Sequence, residues 1–173
     1  MRHLFFIVFN ADFRRGWLGL LLLAPICLPG HALADYTCTV TATDVAFGSY
    51  STFNSIDVDS TGIITVSCDW INGGNETVEP MVSISAGSSG TFFPRKMTSG
   101  GSYLEYNLYQ KSNHTRVWGD GAGGSLTQST KKCQLKPSKP NCVETLDIYG
   151  HIPADQSVAA GNYSDVLFVT IDF

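Results

Sequence analysis

Hydrophobic and polar residues alternate along most of the chain after residue 35, with the period of two that is typical of β-strands. Clusters of Gly, Ser, Asn and Asp separate the alternating segments, and no stretch after residue 34 keeps an amphipathic helical period for three turns. The pattern predicts an all-β sandwich. The predicted strands are Thr37–Ala42, Val45–Tyr50, Gly62–Cys68, Val78–Ala86, Tyr103–Gln110, Thr115–Trp118, Glu144–Ile152 and Ser164–Phe173.

The last of these strands is the most apolar one. Within Ser164–Phe173, the side chains of Leu167, Val169, Ile171 and Phe173 share one face. Such a strand normally lies between two neighbours, but no residues follow it here to supply the next strand. We therefore expect one edge of this strand to be open, and an open apolar edge can accept a strand from another chain.

The first 34 residues predict a signal peptide. Three arginines among the first 15 residues precede the apolar run Trp17–Ala24, and Ala32-Leu33-Ala34 supplies an A-x-A cleavage pattern. The alternative is a membrane anchor, but the run is short for a bilayer and two prolines follow it. The expected organisation is a signal peptide at residues 1–34 and one domain at residues 35–173, with no membrane span after cleavage.

The charge balance narrows the class of partner. Cleavage after Ala34 would leave 8 of the 11 basic and 14 of the 15 acidic residues, a formal net charge of −6. Nucleic acid requires a basic face, so we predict no nucleic-acid partner. Solubility alone is enough to explain the acidic excess.

The cysteines are consistent with export. Cys38, Cys68, Cys133 and Cys142 remain after cleavage, an even number, and three pairings are open. We favour Cys38–Cys68, which joins two long strands, and Cys133–Cys142, which closes a short loop. That loop belongs to Ser125–Asn141, a polar segment that the composition predicts to be an insertion.

Catalytic and metal-binding patterns are weak. The chain has no G-x-S-x-G, no H-E-x-x-H and no loop that would cradle a phosphate. The cysteine spacings match no zinc motif, and His114 and His151 are isolated in the sequence. We predict no catalytic residue, no cofactor and no metal site, and we expect a protein that is not an enzyme.

Several short motifs follow one another in a specific order and carry a family resemblance. They are Cys38-Thr39-Val40, Val45–Tyr50, Gly62–Cys68, Arg95-Lys96-Met97, Leu104–Tyr109, Val117–Gly121, Tyr149–Ala154 and Ala160–Asp165, the last leading into the final strand. On these motifs the chain resembles the spore coat protein U domain, the fold of subunits in archaic chaperone–usher pili. The resemblance covers residues 35–173.

The resemblance implies an incomplete immunoglobulin-like β-sandwich that lacks its final strand and is completed by a donated strand. It implies a groove for that strand lined by Val40, Leu167, Val169, Ile171 and Phe173. The implied partners are a periplasmic chaperone, an outer-membrane usher and a neighbouring pilus subunit. The implied location, after export through the periplasm, is the cell surface or the medium. The implied function is a contribution to fibre assembly or to surface attachment and biofilm formation.

Two features depart from the family pattern. Only Asp35, Tyr36 and Thr37 precede Cys38 if cleavage follows Ala34, too few to pair along a groove that takes about five to six residues. We therefore expect a minor subunit at the fibre tip that accepts a strand and does not donate one. The alternative is a secreted coat-like protein that does not polymerise by strand donation.

The second departure is the length of the segment closed by Cys133 and Cys142. It places a basic spot on an otherwise acidic protein, formed by Lys131, Lys132, Lys136 and Lys139. A solvated surface loop is the simpler interpretation. A surface-binding loop is the alternative.

Overall fold

This computed structural model describes residues 6–13 and 35–173. For residues 6–13 and Asp35 it describes the backbone alone. Strands make up nearly all of the regular structure in these residues. The rest of the predicted signal peptide, residues 1–5 and 14–34, lies outside the described part. The strands are β1 (Phe6–Phe13), β2 (Asp35–Ala42), β3 (Val58–Asn72), β4 (Glu76–Val78), β5 (Met81–Ile84), β6 (Arg95–Ser99), β7 (Ser102–Tyr109), β8 (Gln128–Ser129), β9 (Cys133–Leu135), β10 (Asn141–Ile152) and β11 (Ser164–Asp172). Within the described residues, no helix has the length and apolar character needed to cross a membrane.

The strands form two layers that are joined through β7. The order β2-β3-β10-β7 makes one layer, and β7 continues through β6 to β11, β5 and β8 in the other. A separate small sheet pairs β4 with β9. Neighbours in both layers are antiparallel, except that β1 pairs with β11 in parallel. The prediction of an all-β sandwich is confirmed.

The core lies between the two layers. Ile64 of β3 and Ile148 of β10 meet Val82 of β5 and Leu167 of β11, and none of these side chains is exposed to solvent. The alternation in the sequence arises here, because successive side chains of a strand point to opposite faces and only one face of each layer is covered.

The predicted strand at Val45–Tyr50 is wrong. The segment has no strand pairing, although Val45 and Phe47 are buried. It packs across β3 and β10 where glycines give it room, since a Cβ at Gly150 would lie only 2.7 Å from Phe47 Cζ. The alternation in this segment reflects packing against the core rather than membership of a sheet.

Two other predicted strands differ from the structure. Val78–Ala86 is divided into β4 and β5 at Pro80, which has no N–H to donate to a ladder. Thr115–Trp118 makes only isolated bridges, at Val117 and Trp118. Trp118 is fully buried, and its indole N–H donates to the Val82 carbonyl at 3.2 Å, so the segment is apolar because it packs in the core.

The structure also contains strands that the sequence did not predict. β6 is polar at every position except Met97, so the alternation of apolar residues does not indicate it. β8 and β9 lie inside the segment Ser125–Asn141 that we predicted to be an inserted loop. β9 pairs with β4, so this segment is held by a small sheet as well as by a disulfide. The insertion is therefore an ordered part of the domain.

The structure pairs the cysteines in the arrangement that we favoured. Cys38 of β2 is bonded to Cys68 of β3, its cross-strand partner, and both are buried. Cys133 of β9 is bonded to Cys142 at the start of β10. The first disulfide ties two core strands together, whereas the second closes a loop of the insertion.

Replacing both Cys38 and Cys68 by alanine is expected to destabilise the domain more than the same change at Cys133 and Cys142. Chain entropy alone gives about 3.7 kcal/mol for the first loop and about 2.7 kcal/mol for the second. The first change also removes buried sulfur from the core, which adds a cavity cost. Urea unfolding of the two double variants measures the difference, and equal losses of unfolding free energy would contradict this ranking.

Candidate strand-accepting groove

The last strand, β11, is the centre of the candidate site. Its odd-numbered side chains face the core, and Leu167, Val169 and Ile171 are at most 1% exposed with β1 in place. The even-numbered Val166 and Phe168 point outward and are nearly half exposed. The apolar face that the sequence predicted is therefore the core face of this strand.

Two strands of the same layer pair with part of β11. β5 pairs with Val169–Asp172, and β6 contributes one pair, between Thr98 and Ser164. Between these, the Ser85 N–H donates to the Phe168 carbonyl at 2.9 Å, and the Ser85 hydroxyl accepts from the Phe168 N–H at 2.9 Å. On the side of β5 and β6, the backbone of β11 is therefore paired with strands over only part of its length.

The remaining neighbour of β11 comes from the N-terminal segment of the chain. β1 runs parallel to β11 over eight residues, from the pair Phe6–Ser164 to the pair Phe13–Ile171. Among the described residues, β1, β5 and β6 are the only strands that pair with β11. We expected an open edge; in the full chain the edge is paired, and the residues that pair it belong to the predicted signal peptide.

The end of the chain approaches β2 of the opposite layer. Tyr36 of β2 contacts Phe173, with ring centroids 5.6 Å apart, where the end of β11 approaches β2. Val40 is partly buried against the core, and Phe173 is 38% exposed. Of the five predicted groove residues, Val40 lies on β2, Leu167, Val169 and Ile171 lie on β11, and Phe173 follows β11. That these residues line a groove for a donated strand stays a prediction.

The start of β11 is anchored by a buried carboxylate. Asp165 Oδ2 accepts the Tyr106 hydroxyl proton at 2.6 Å, and Oδ1 accepts the Ser88 N–H at 2.8 Å. Burial, with the nearby Asp165 charge, raises the pKa of Tyr106 well above its ordinary value, so the phenol stays protonated and donates. Gly87 lies against this carboxylate at φ +71°. Only glycine is suited to this position, because a Cβ would collide with the Asp165 carboxylate.

A buried guanidinium supports the same layer. Arg95 of β6 is fully buried and donates to the carbonyls of Ser85 at 2.9 Å and Trp118 at 2.6 Å, and to Asn107 Oδ1 at 2.8 Å. Desolvation lowers its pKa to about 10, which leaves the group charged at neutral pH. Arg95 therefore joins β6 to the segment after β5, to β7 and to the segment around Trp118.

The four lysines of the predicted surface-binding loop lie on both sides of β9, two before it and two in the tight turn after it. Lys136 and Lys139 exchange backbone hydrogen bonds of 3.1 and 2.9 Å, and Lys132 is paired with Glu79 at 3.7 Å. Lys131 is exposed. Lys132 and Lys139 are exposed as well, and Lys136 is half-buried. A surface-binding role for the four lysines stays a prediction.

Two residues that the sequence suggested were isolated are neighbours in space. The rings of His114 and His151 have centroids 4.4 Å apart and are tilted by 31°. His151 lies near the end of β10, and His114 lies in the hairpin after β7. Their isolation in the sequence does not carry over to the structure, because strand pairing joins positions that are far apart in the sequence.

The edge of β11 is occupied by backbone pairing with β1 of the same chain. A strand of eight residues spans about 26 Å, and every second side chain of such a strand would point into the cleft between the layers. Affinity at such an edge comes from main-chain hydrogen bonds, and selectivity comes from the side chains that point inward.

Comparisons with known proteins give a consistent result. A model of the Spore Coat Protein U domain family matches residues 27–170. Protein U of Myxococcus xanthus is 30% identical over 134 residues, which cover 73% of this chain and 70% of that protein.

One solved structure has a similar fold. It is the crystal structure of the CsuC–CsuE chaperone–tip adhesion subunit pre-assembly complex from archaic chaperone–usher Csu pili of Acinetobacter baumannii. The TM-score is 0.50 at 23% identity, over 80% of this chain and 40% of the matched chain. The chain thus spans well under half the length of that chain, and the likeness is one of fold. The predicted immunoglobulin-like β-sandwich is confirmed as a fold, whereas its completion by a donated strand stays a prediction.

Proposed function

We propose that this chain, which belongs to the Spore Coat Protein U domain family, is an exported structural subunit of a chaperone–usher pilus. After the signal peptide is removed, the edge of β11 accepts a strand from a periplasmic chaperone and then from a neighbouring subunit. An outer-membrane usher passes the subunit to the cell surface, where the fibre contributes to attachment and biofilm formation. The proposal assigns the chain no catalytic activity.

One observation supports this proposal most strongly. Along Ser164–Ile171, β11 is paired on one side by residues 6–13, which precede the predicted cleavage site after Ala34. Removal of that segment would uncover a groove whose wall consists of Leu167, Val169 and Ile171. A folded domain that exposes such an edge is prone to aggregation unless another strand covers it.

Co-expression with a periplasmic chaperone tests the proposal. The exported chain should be recovered in a one-to-one complex when the chaperone is present, and mainly as aggregate or degraded protein when it is absent. Two substitutions distinguish binding at the β11 edge from binding elsewhere on the surface. Val169→Arg should abolish recovery of the complex, whereas Lys131→Glu in the exposed loop should leave it intact. Recovery of equal amounts of soluble monomer without a chaperone would contradict the proposal.

A second candidate function has an observation in its favour. Because β1 pairs with β11 within one chain, a form that kept residues 6–13 would need no donated strand. Such a form would be a secreted coat-like protein that does not polymerise by strand donation. The N-terminal sequence of the secreted form separates the two candidates, since a start at Asp35 excludes self-pairing by β1.

The subunit is expected at fibre ends rather than along fibre shafts. With cleavage after Ala34, only Asp35, Tyr36 and Thr37 precede Cys38, and Cys38 is already committed to β2 and a disulfide. Immunogold labelling of fibres is the measurement. Labels that occur regularly along shafts would show that the tip position is wrong.

Grafting a donor segment from a sister subunit in front of Asp35 provides the matched comparison. The grafted chain should enter the shaft, because it can then both accept and give a strand. A scrambled graft of the same length should leave the chain at the ends. If the functional graft also stays at the ends, something other than the missing donor segment determines the position.

A further inference from the structure

The face of the layer formed by β3, β10 and β7 carries a cluster of metal-ligand side chains that the pilus function does not use. Asp59 of β3 is the cross-strand partner of His151 of β10, and His114 reaches the same place from the hairpin after β7. One ligand atom from each of the three residues lies within 4.8 Å of the other two. Three separate elements therefore converge on one point.

One carboxylate oxygen of Asp59 lies close to a ring nitrogen of each histidine. Asp59 Oδ1 is 2.7 Å from His151 Nδ1 and 3.6 Å from His114 Nε2. Zinc–nitrogen and zinc–carboxylate bonds are about 2.0–2.2 Å long, so the ligand atoms of a tetrahedral site are separated by about 3.4 Å. Small side-chain rotations suffice to admit an ion between these atoms.

A second carboxylate faces the other nitrogen of His151. Asp57 Oδ2 lies 4.0 Å from His151 Nε2, and Asp57 Oδ1 accepts the Ala154 N–H at 2.8 Å, which orients the carboxylate. Histidines that bind metals generally donate the remaining ring N–H to a carboxylate or carbonyl, which orients the ring and raises its basicity. At 4.0 Å, Asp57 Oδ2 is beyond hydrogen-bond distance of His151 Nε2, but it is the carboxylate that lies nearest to take this position once the ring turns to bind an ion.

The local charge also favours a cation. Among the described residues, the only ion-pair partners of Asp57 and Asp59 are these two histidines, which are neutral in their metal-binding form. The imidazoles are partly buried, with side-chain exposures of 25% for His114 and 17% for His151, and Tyr109 packs 5.1 Å from the His114 ring. The rings are thereby positioned, while the carboxylates remain open to solvent.

We propose that Asp59, His114 and His151 form a binding site for a divalent transition-metal ion of the zinc class, with Asp57 positioning His151. Imidazole nitrogen with one carboxylate oxygen is a donor set that suits Zn²⁺ and Cu²⁺ better than Mg²⁺ or Ca²⁺. Water fills the remaining position of the coordination sphere. None of these residues belongs to β11, β5, β6 or β1, so the site is independent of the strand-accepting groove.

Zinc titration of the exported chain, with no histidine tag and in the same chaperone-bound or unbound form for every variant, tests the site. Calorimetry with ZnCl₂ should give one saturable site per chain. His114→Asn should abolish it, since asparagine tolerates the left-handed backbone of this residue (φ 53°) without offering an imidazole. Asp57→Asn should weaken binding by about 10–100-fold. Asp44→Asn, which changes an exposed carboxylate away from the cluster, should leave it unchanged.

A second readout keeps the test independent of calorimetric background. Excess zinc should raise the melting temperature of the wild-type chain and of Asp44→Asn, but not that of His114→Asn, because only a specific site on the folded state stabilises it. Absence of saturable zinc uptake, or uptake that persists unchanged in His114→Asn, would overturn the proposal.

Discussion

A peptide that occupies the groove is expected to raise the melting temperature of the mature domain, residues 35–173, by about 10 °C. Leu167, Val169 and Ile171 are buried with β1 paired to their strand, and we expect the removal of β1 to uncover them in part. Covering them again recovers part of the roughly 1.5–3 kcal/mol that each buried apolar side chain contributes, about 3 kcal/mol in total. For a domain of this size, that gain corresponds to about 10 °C.

Two peptides are suitable for this measurement. One has the sequence of Phe6–Phe13, which pairs with β11 in the structure, and the other is the donor segment of a sister subunit. Scrambled peptides of the same composition are the control, and they should leave the melting temperature unchanged. A high melting temperature in the isolated domain that no peptide alters would show that the edge needs no partner.

Replacing Arg95 by alanine is expected to destabilise the domain by about 4 kcal/mol or more. The change removes hydrogen bonds to two backbone carbonyls and to Asn107, and it leaves those buried acceptors unpaired beside a cavity. Since small domains are stable by about 5–15 kcal/mol, we expect the variant to fold poorly. Arg95→Lys should not restore stability, because an ammonium group cannot reproduce the fork of donors.

The adjacent Lys96 provides a matched control. It is more than a third exposed and makes a surface ion pair with Glu105 at 3.5 Å, so Lys96→Ala should cost no more than about 1 kcal/mol. Urea unfolding of both variants in the presence of the groove peptide measures the two losses under equal conditions. Similar losses for Arg95→Ala and Lys96→Ala would show that the buried guanidinium is not needed for stability.

The sequence predicted those features of the fold that depend on local pattern. The alternation in β3, β7, β10 and β11 was recognised because one face of each strand is covered by the other layer. The pairing of Cys38 with Cys68 followed from the strands that carry them. The same reasoning failed at Val45–Tyr50, where an alternating segment packs on the core outside any sheet.

The features that the sequence did not predict depend on contacts between distant residues. β6 carries the charged residue Arg95 at a buried position. A strand with a charged residue on its buried face does not show the alternation of apolar and polar residues by which strands are predicted. His114 and His151 are 37 positions apart in the sequence and come together through the pairing of β10 with β7 and β3. The pairing of β1 with β11 joins the two ends of the chain, which no local pattern can indicate.

Hydrogen–deuterium exchange of the β11 backbone tests most directly whether its edge accepts a strand from another chain. The measurement compares residues 164–173 in the mature chain alone and in its complex with the periplasmic chaperone, with Gly62–Cys68 of β3 as the internal reference. We expect exchange in β11 to slow markedly on binding, while the reference segment stays protected in both states. Equal and strong protection of β11 in both states would show that the edge is closed without a partner, and strand acceptance would then be wrong.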